Sequence, residues 1–258
     1  MTTKKNMHQD IITYRPTPHC LQDKIILVTG AGDGIGKVAA LTYAKYGATV
    51  LLLGKTQSKL EALYDQIESL GLAQPAILPM DLEKATFAQM NETATLIQKE
   101  FGRLDGVLHN AAILGALTPL EMYDPITFEQ VMRVNSTAVF MLTQALYPLL
   151  MNAQSGSVVF TSSSVGAKPR AFWGAYALSK QVVEGMSAIF TQETQNHTAL
   201  RFNVINPGAT RTNMRAHAFP GEDPNTLKTP EEIMAPYVYL MSDMASGVKG
   251  QVIDCQPK

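Results

Sequence analysis

The sequence predicts an α/β fold: a single doubly wound domain with a central parallel sheet of about seven strands and helices on both faces. Short apolar runs alternate along the chain with longer segments of helical periodicity, which is typical of βαβ units. The apolar runs are nearly continuous, as in strands that a parallel sheet buries on both faces. Hydrophobic residues make up 46% of the 258 residues, which is enough for one large core.

The predicted elements follow one another in strict alternation. The strand segments are residues 24–29, 49–53, 76–80, 105–109, 157–161, 201–205 and 251–254. The helical segments are residues 35–46, 57–70, 84–101, 124–151 and 174–195, with a last one near 230–243. Thr229 is a candidate N-cap for this last helix, and Pro230 suits its first position. Short links between these elements predict right-handed crossovers in one sheet.

Two segments lack a regular pattern. Residues 1–22 contain Pro16 and Pro18 and no sustained periodicity, so we expect an irregular N-terminal arm before a catalytic domain at residues 23–258. Residues 210–228 form a long irregular stretch between the sixth and seventh strands. Loops of that length in compact domains are usually functional, so we expect this one near a substrate.

The composition excludes several classes of function. The chain has 21 basic and 22 acidic residues, so it has no long-range field that would attract nucleic acid or an anionic membrane. Cys20 and Cys255 lie near opposite ends, which predicts two free thiols in a reducing compartment and no metal site. Polar residues follow Lys4 and Lys5, so we expect no secretory signal and a cytoplasmic location. Residues 136–151 are too short to span a bilayer.

A glycine-rich turn, TGAGDGIG, leads from the first predicted strand into a helix. Gly30, Gly34 and Gly36 permit a tight turn and close approach of the backbone to a pyrophosphate, which would face the free N–H groups at the helix start. The strand and helix on either side are the context that a Rossmann dinucleotide site requires. A P-loop is excluded, because Ala31 stands where its first glycine belongs and Val38 where Ser or Thr should follow.

The spacing TGxxxGxG is the form used by the short-chain dehydrogenases, and the sequence resembles that family from Leu21 onward. It is similar to the YciK-type branch of bacterial oxidoreductases at residues 161–166, 173–180, 206–212 and 214–220. The resemblance implies an oxidoreductase that moves hydride between a nicotinamide dinucleotide and a carbonyl or alcohol.

Tyr176 and Lys180 form a YxxxK pattern in a predicted helix, so they lie one turn apart on the same face. The pKa of a phenol is about 10, and we expect the nearby ammonium to lower the pKa of Tyr176 toward working pH. Tyr176 can then exchange a proton with the substrate oxygen. The spacing of Ser163 and Asn135 resembles that of the family's catalytic tetrad. By that resemblance Ser163 hydrogen-bonds the substrate oxygen, and Asn135 holds a water that links Lys180 to solvent.

The end of the second predicted strand indicates which dinucleotide is bound. A site that selects NAD usually carries an acid there, which bonds the ribose 2′-hydroxyl. This chain carries Lys55, which can pair with a 2′-phosphate, so we expect NADP(H) to be favoured over NAD(H). Against this, Asp33 stands where other NADP-preferring relatives carry a basic residue. A solvated surface lysine is the alternative interpretation of Lys55.

Further positions match cofactor contacts of the family. Ala112 departs from the family pattern, which has glycine there, and His109 is expected to be bonded locally at a strand end. Pro207 and Gly208 begin a segment that in the family binds the nicotinamide carboxamide. The resemblance implies cofactor contacts at Gly30, Gly34, Ile35, Gly36, Lys55, Asp81, Leu82, Asn110, Tyr176, Lys180, Pro207, Gly208, Thr210 and Thr212.

The sequence says less about the identity of the substrate. An apolar pocket could be lined by Phe172, Trp173, Met214 and Phe219, and an acidic group could be met by Arg211 and Arg215. We expect a small-molecule substrate, and a homodimer or homotetramer built on the apolar helices at residues 124–151 and 174–195. Two other functions stay open: a non-catalytic dinucleotide-binding sensor or scaffold, and a sugar epimerase or dehydratase.

Overall fold

A seven-stranded, wholly parallel sheet forms the centre of the molecule. The computed structural model describes residues 2–195 and 199–257. The strands are β1 Ile25–Thr29, β2 Thr49–Gly54, β3 Ala76–Pro79, β4 Gly106–His109, β5 Ser157–Thr161, β6 Arg201–Asn206 and β7 Val252–Asp254. Their order in the sheet is β3-β2-β1-β4-β5-β6-β7. The predicted doubly wound fold is confirmed, and each of the seven predicted strand segments overlaps a strand of the sheet.

Ten α-helices flank the sheet within the described residues. They are α1 Thr2–Ile12, α2 Gly34–Lys45, α3 Gln57–Ser69, α4 Phe87–Phe101, α5 Pro125–Met132, α6 Ala138–Met151, α7 Ser164–Ala167, α8 Gly174–Thr194, α9 Asn213–Ala218 and α10 Met234–Met241. Local signals fix several ends. Thr86 and Gln89 form a capping box at the start of α4, and Asp124 caps α5 with Pro125 at its first position.

Successive strand residues point to opposite sides of the sheet, as the period of two requires. Ile26 and Val28 of β1 pack with α2 and α10 on one side. Leu27 and its β2 partner Leu51 pack on the other side, with α4, α6 and α8. The core therefore has two layers, and all five residues of β1 are buried.

The long helix predicted at residues 124–151 is interrupted. A π-helical turn at Arg133–Thr137 separates α5 from α6, and such turns often occur at functional sites. The whole segment, Pro125–Met151, is long and apolar enough to cross a membrane by length and composition. More than half of its most apolar stretch is buried inside the protein, which is also typical of a core helix.

The prediction of an irregular N-terminal arm is wrong for its first half, where α1 forms. Ile11 is fully buried in the core, and Met7, one turn earlier, packs against the same cluster. The ring nitrogen Nε2 of His8 lies 3.1 Å from both the N–H and the carbonyl oxygen of Asp254. The three apolar residues of α1, Met7, Ile11 and Ile12, are too few to give a visible periodicity, so α1 depends on tertiary contacts.

The prediction that residues 210–228 are irregular is also wrong in part. This segment contains α9, whose N-cap Thr212 accepts a hydrogen bond from the N–H of Arg215. Thr210 and Lys228 form a parallel bridge that closes the segment at its base. The last helix differs as well: a 3₁₀ turn precedes α10, with Pro230 at its N-cap position. Thr229, the predicted cap, instead donates its backbone N–H to Glu232.

Candidate active site

The strand order reverses between β1 and β4, and a cleft opens at the carboxyl ends of these two strands, where ligands bind in open α/β sheets. Thr29, the last residue of β1, ties the two strand ends together. Its Oγ1 accepts hydrogen bonds of 3.0 Å from the N–H groups of both Asn110 and Ala111, and donates to the carbonyl oxygen of Leu108. The segments that leave β1 and β4 are thereby held side by side.

The glycine turn brings the start of α2 against this junction. Gly30 and Gly34 have φ values of +68° and +49°, which only glycine adopts without strain. A Cβ on Gly36 would overlap the carbonyl oxygen of Gly30 and lie 2.6 Å from Nδ2 of Asn110. The side chain of Asp33 caps α2 by accepting a 2.7 Å hydrogen bond from the N–H of Gly34. A glycine at position 36 is therefore required by close backbone packing.

One continuous cleft of about 460 Å³ contains most of the residues that the sequence singles out. Its lining includes Gly30, Gly34, Ile35, Lys55, Asp81, Leu82, Asn110, Ser163, Tyr176, Lys180, Pro207, Gly208, Thr210 and Thr212. Gly36 and Asn135 lie behind this lining. Of the described residues, no three His, Cys, Asp or Glu side chains are grouped so as to hold a metal ion.

Tyr176 and Lys180 lie next to each other on α8 and are almost fully buried, with exposed fractions of 8% and 3%. The Nζ atom of Lys180 lies 5.4 Å from the centre of the Tyr176 ring. It donates a 2.8 Å hydrogen bond to the carbonyl oxygen of Thr161 at the end of β5. Ser163, just after β5, hydrogen-bonds the hydroxyl of Tyr176. Three of the four predicted catalytic side chains are thus brought together.

The predicted lowering of the Tyr176 pKa is wrong for this structure. Burial raises the pKa of Tyr176 to about 12, and the hydrogen bond with Ser163 acts in the opposite direction without cancelling it. Burial also lowers the pKa of Lys180 to about 8. Each group is desolvated, so each favours its neutral form. Spacing along a helix does not reveal this loss of solvation.

Asn135 lies in the π-helical turn and bonds to protein groups on three sides. Its Oδ1 accepts a 2.9 Å hydrogen bond from the N–H of Ile113. Its Nδ2 donates to the carbonyl oxygen of Ile113 at 2.9 Å and to the hydroxyl of Ser179 at 3.1 Å. Asn135 therefore joins the segment after β4 to the residue beside Lys180. Its part in a proton relay stays a prediction.

His109 is bonded locally, as the sequence predicts. Its Nε2 lies 2.9 Å from Oγ1 of Thr143 on α6, and its ring stacks on Phe160 at 5.2 Å between centroids. Burial lowers the pKa of His109 to about 3, so the imidazole is neutral at physiological pH. It belongs to the core and does not line the cleft.

The end of the cleft near β2 carries two lysines, of which the sequence analysis found only Lys55. Lys59, in the first turn of α3, also lines the cleft, and its Nζ lies 2.5 Å from Oδ2 of Asp33. The hydrogen bond from Lys59 is the main reason why the pKa of Asp33 is lowered. The negative charge of Asp33 is therefore already paired. The feature of the sequence that could have pointed to Lys59 is its position shortly after the end of the second strand.

The opposite end of the cleft, next to Tyr176, is apolar. Trp173 lies 6.0 Å from the Tyr176 ring and 5.7 Å from that of Phe219, and Met214 packs beside it. Phe172 does not belong to this end: it is more than half exposed and faces a separate surface groove. Its expected place in the pocket is wrong.

Neither arginine of the 210–228 segment presents a free guanidinium. Arg211 donates to the carbonyl oxygens of Pro224 and Leu227. Arg215 forms a bidentate ion pair with Glu222, at 2.6 and 2.7 Å, and lies over the Phe219 ring. Both side chains therefore stabilise the segment that covers the cleft.

The comparisons with known proteins agree on one family. A family profile described as short chain dehydrogenase matches residues 24–223. The oxidoreductase YciK of Escherichia coli (strain K12) is 50% identical over 244 residues, which cover 95% of this chain and 96% of YciK. The 3-oxoacyl-(acyl-carrier-protein) reductase FabG of Thermotoga maritima is 31% identical over 242 residues, covering 90% of this chain and 96% of FabG.

A solved structure matches along its whole length. The crystal structure of a short chain dehydrogenase from Escherichia coli CFT073, complexed with NADPH, has a TM-score of 0.91 and is 51% identical to this chain. The match covers 94% of this chain and 100% of that one. The two proteins therefore share a fold over the full length of that chain.

Replacing Gly36 tests whether the close packing of the glycine turn is needed for binding. We expect Gly36→Ala to weaken the binding of a probe dinucleotide strongly, because the added methyl group must displace the Gly30 carbonyl. Gly185→Ala on α8 is the matched control, since a Cβ there meets no atom within 4 Å. That variant should bind as wild type and gain roughly 0.5–1 kcal/mol in the free energy of unfolding. Fluorescence titration and urea unfolding measure the two effects, and equal affinities in all three proteins would contradict the argument.

Proposed function

The chain belongs to the short-chain dehydrogenase family, as its sequence predicts, and on that premise we propose that it is an NADP(H)-dependent carbonyl reductase. Members of this family act on CH–OH and C=O groups. The single observation that carries the proposal is the grouping of Tyr176, Ser163 and Lys180 in the cleft that the glycine turn opens onto.

The residues of the cleft fit a nicotinamide dinucleotide. The turn at Gly30 and Gly34 and the start of α2 offer backbone N–H groups, which suit a pyrophosphate, although Asp33 accepts the N–H of Gly34. A Cβ at position 36 would overlap neighbouring atoms, so only glycine lets the backbone pack this closely here. Lys55, at the end of β2, supplies positive charge where a 2′-phosphate would bind. Asp81, Leu82, Asn110 and the segment from Pro207 to Thr212 complete the lining.

In the proposed reaction the protein handles the proton. A nicotinamide held by the cleft would supply the hydride for the carbonyl carbon. Ser163 hydrogen-bonds the carbonyl oxygen as negative charge develops on it. Tyr176 donates its proton to that oxygen, and the ammonium of Lys180 stabilises the phenolate that is left. The products are the alcohol and the oxidised dinucleotide.

The pKa values of the two groups favour reduction. A phenol whose pKa is raised to about 12 is protonated at neutral pH, so Tyr176 is ready to act as an acid. Oxidation of an alcohol would need the phenolate, which is rare at that pH. The protein is therefore proposed to work as a reductase under neutral conditions.

The apolar end of the cleft supports a substrate with a hydrocarbon body next to its carbonyl group. Trp173, Met214 and Phe219 line this end, and Leu114 packs with them. The guanidinium of Arg215 is neutralised by Glu222. A free carboxylate on the substrate would therefore find no unpaired arginine among the described residues of this segment.

We also propose a cytoplasmic location and a homo-oligomer. Cys20 and Cys255 are free thiols, which supports a reducing compartment. Apolar side chains are exposed along one stripe of α8, at Leu178, Val182 and Ile189. The spacing of these residues places them on one face of the helix, and a second copy of the chain could cover that face.

Replacing Tyr176 tests the enzymatic proposal. We expect Tyr176→Phe to lower kcat for the reduction of apolar ketones by about 10²–10⁴-fold, the usual contribution of a general acid. The affinity for NADPH should change little, because the ring remains. Tyr64→Phe is the control, since the Tyr64 hydroxyl bonds only Gln74 on the surface among the described side chains. The decrease in NADPH absorbance measures turnover. A wild-type protein that bound NADPH without turnover would support a sensor, and sugar conversion without net oxidation would support an epimerase.

The rate of reduction should depend on pH through the protonation state of Lys180. Because the pKa of Lys180 is lowered to about 8, its ammonium is present below that pH and is lost above it. Tyr176 remains a phenol throughout, so kcat/KM, whose pH profile reports the free enzyme, should be flat below pH 8 and fall by about tenfold per unit well above it. Circular dichroism over the same range controls for unfolding. A rate that rose with pH would mean that phenolate is the reactive form.

The proposed interface on α8 can be tested by measuring the mass of the protein in solution. We expect sedimentation at micromolar concentration to give at least twice the chain mass of 28.1 kDa. The double variant Val182→Glu/Ile189→Glu should be monomeric. In a symmetric dimer, two glutamates from each chain would place four buried negative charges in the interface. Leu96→Glu is the control, an equally exposed apolar residue on α4. A monomeric wild-type protein would refute the proposal.

A further inference from the structure

Three consecutive serines, residues 162–164, follow β5, and each hydroxyl has its own partner. The Oγ of Ser162 donates a 2.5 Å hydrogen bond to Oε1 of Glu184 on α8. The Oγ of Ser164 accepts a 2.9 Å hydrogen bond from the guanidinium of Arg170. The middle hydroxyl bonds the phenol of the proposed acid. The two flanking hydroxyls are therefore held by groups other than that phenol.

Ser162 points toward α8 because it continues the alternation of β5. Val159 belongs to the core layer that contains α2, and Phe160 to the layer that contains α8, so the side chain two residues after Phe160 lies on the α8 side. The N–H of Ser162 still pairs with β6, at 2.8 Å from the carbonyl oxygen of Ile205. Ser162 is only 1% exposed, and a hydroxyl buried to this degree needs a hydrogen-bond partner inside the protein.

Glu184 lies one turn beyond Lys180 and two turns beyond Tyr176, so the three side chains share one face of α8. They contact three consecutive residues of the chain that leaves β5, at positions 161–163. The ammonium binds the carbonyl oxygen of the first, the carboxylate binds the hydroxyl of the second, and the phenol bonds the hydroxyl of the third. Each residue of this short segment is thereby tied to a different turn of the helix.

The hydrogen bond between Ser162 and Glu184 is covered closely by α7. A Cβ on Gly166 would lie 2.6 Å from Oγ of Ser162 and 2.8 Å from Oε1 of Glu184. It would also lie 3.0 Å from Cβ of Lys180. The lack of a side chain at this position lets the backbone of α7 pack directly over the pair. A hydrogen bond to a carboxylate is shorter and stronger than one between neutral groups, so this bond fixes the position of Ser162.

We propose that Glu184 is a positioning residue for Ser163. By holding the hydroxyl of Ser162, it sets the direction in which the chain leaves β5, and so directs the next hydroxyl toward the substrate oxygen. The inference rests on the proposed function, in which Ser163 binds that oxygen as charge develops on it. Glu184 does not line the cleft, so it acts through Ser162 and touches none of the reacting atoms.

A purely structural hydrogen bond is the alternative, and it predicts a different measurement. Loss of a structural bond would lower the free energy of unfolding and with it the number of folded molecules. Each molecule that stayed folded would still reduce the substrate at the wild-type rate, because the distance from Ser163 to the substrate oxygen would be unchanged. Turnover per dinucleotide-binding site therefore distinguishes the two roles.

The experiment measures kcat for the reduction of apolar ketones by the full chain, per binding site counted by fluorescence titration with NADPH. We expect Glu184→Ala to lower kcat by about 10–100-fold, because a displacement of about 1 Å at a reacting group costs up to about 10²-fold. The affinity for NADPH should be that of wild type. Glu184→Gln keeps an acceptor oxygen and should restore kcat to within about threefold, since a neutral acceptor is weaker. Glu193→Ala, an exposed acid on the same helix, is the control and should keep the wild-type kcat.

The other partner of the bond gives a second variant, in which only one hydroxyl oxygen is removed. Ser162→Ala should lower kcat by a factor similar to that of Glu184→Ala. The double variant Ser162→Ala/Glu184→Ala should be no slower than either single variant, because the same interaction is lost in all three proteins. Factors that multiplied in the double variant would overturn the proposal, since the two residues would then act separately.

The outcomes separate this inference from the function beneath it. A wild-type protein without turnover would overturn both. Wild-type kcat per binding site in Glu184→Ala, with a loss only in urea unfolding, would overturn the positioning role alone. Glu184→Gln as slow as Glu184→Ala would also overturn it, because the charge and not the hydrogen bond would then matter, and so would a parallel loss of NADPH affinity. A fall in kcat alone that Glu184→Gln restores supports the inference.

Discussion

The burial of an ammonium group beside a phenol is the constraint on which the rest of the site depends. Lys180 is almost wholly out of solvent, and a buried charge is costly unless it is hydrogen-bonded. The carbonyl oxygen of Thr161 at the end of β5 accepts one of its protons at 2.8 Å. This bond presses α8 against the end of the strand, and so brings Tyr176 to Ser163 on the segment that follows. The positions of acid, oxygen-binding group and cation are thus set by one helix docked on one strand end.

The cleft in front of these groups is a consequence of strand order. β1 lies between β2 and β4, so the chain leaves the sheet in opposite directions on either side of this point. Thr29 holds the two exits together through three hydrogen bonds. The absence of a side chain at Gly36 then lets α2 begin directly on that junction. Backbone N–H groups and the catalytic side chains consequently face the same space, although more than 100 residues separate them along the chain.

The sequence predicted most of the fold because its strands are buried on both faces and its glycine turn has few structural alternatives. It did not reveal α1, whose stability comes from Ile11 in the core and from the bond of His8 to Asp254, two contacts with distant parts of the chain. It predicted the grouping of Ser163, Tyr176 and Lys180 from spacing and family resemblance. It gave the wrong direction for the Tyr176 pKa, because that value depends on burial by Trp173, α7 and the segment after β4, which spacing along α8 cannot show. The contact of Lys59 was missed for a related reason: its partner Asp33 lies in the glycine turn, 26 residues earlier.

The two ends of the cleft differ in a way that imposes one orientation on a bound dinucleotide. Lys55 and Lys59 place two ammonium groups near β2, beside the carboxylates of Asp33, Asp81 and Glu83. At the other end Trp173, Met214 and Phe219 surround Tyr176 with apolar surface. Asp33 lies between these ends: Lys59 binds its carboxylate on one side, and Asn213 of α9 lies close to it on the other. The negative charge of Asp33 in the glycine turn is thus paired with Lys59, so this residue does not by itself argue against an anion in the cleft.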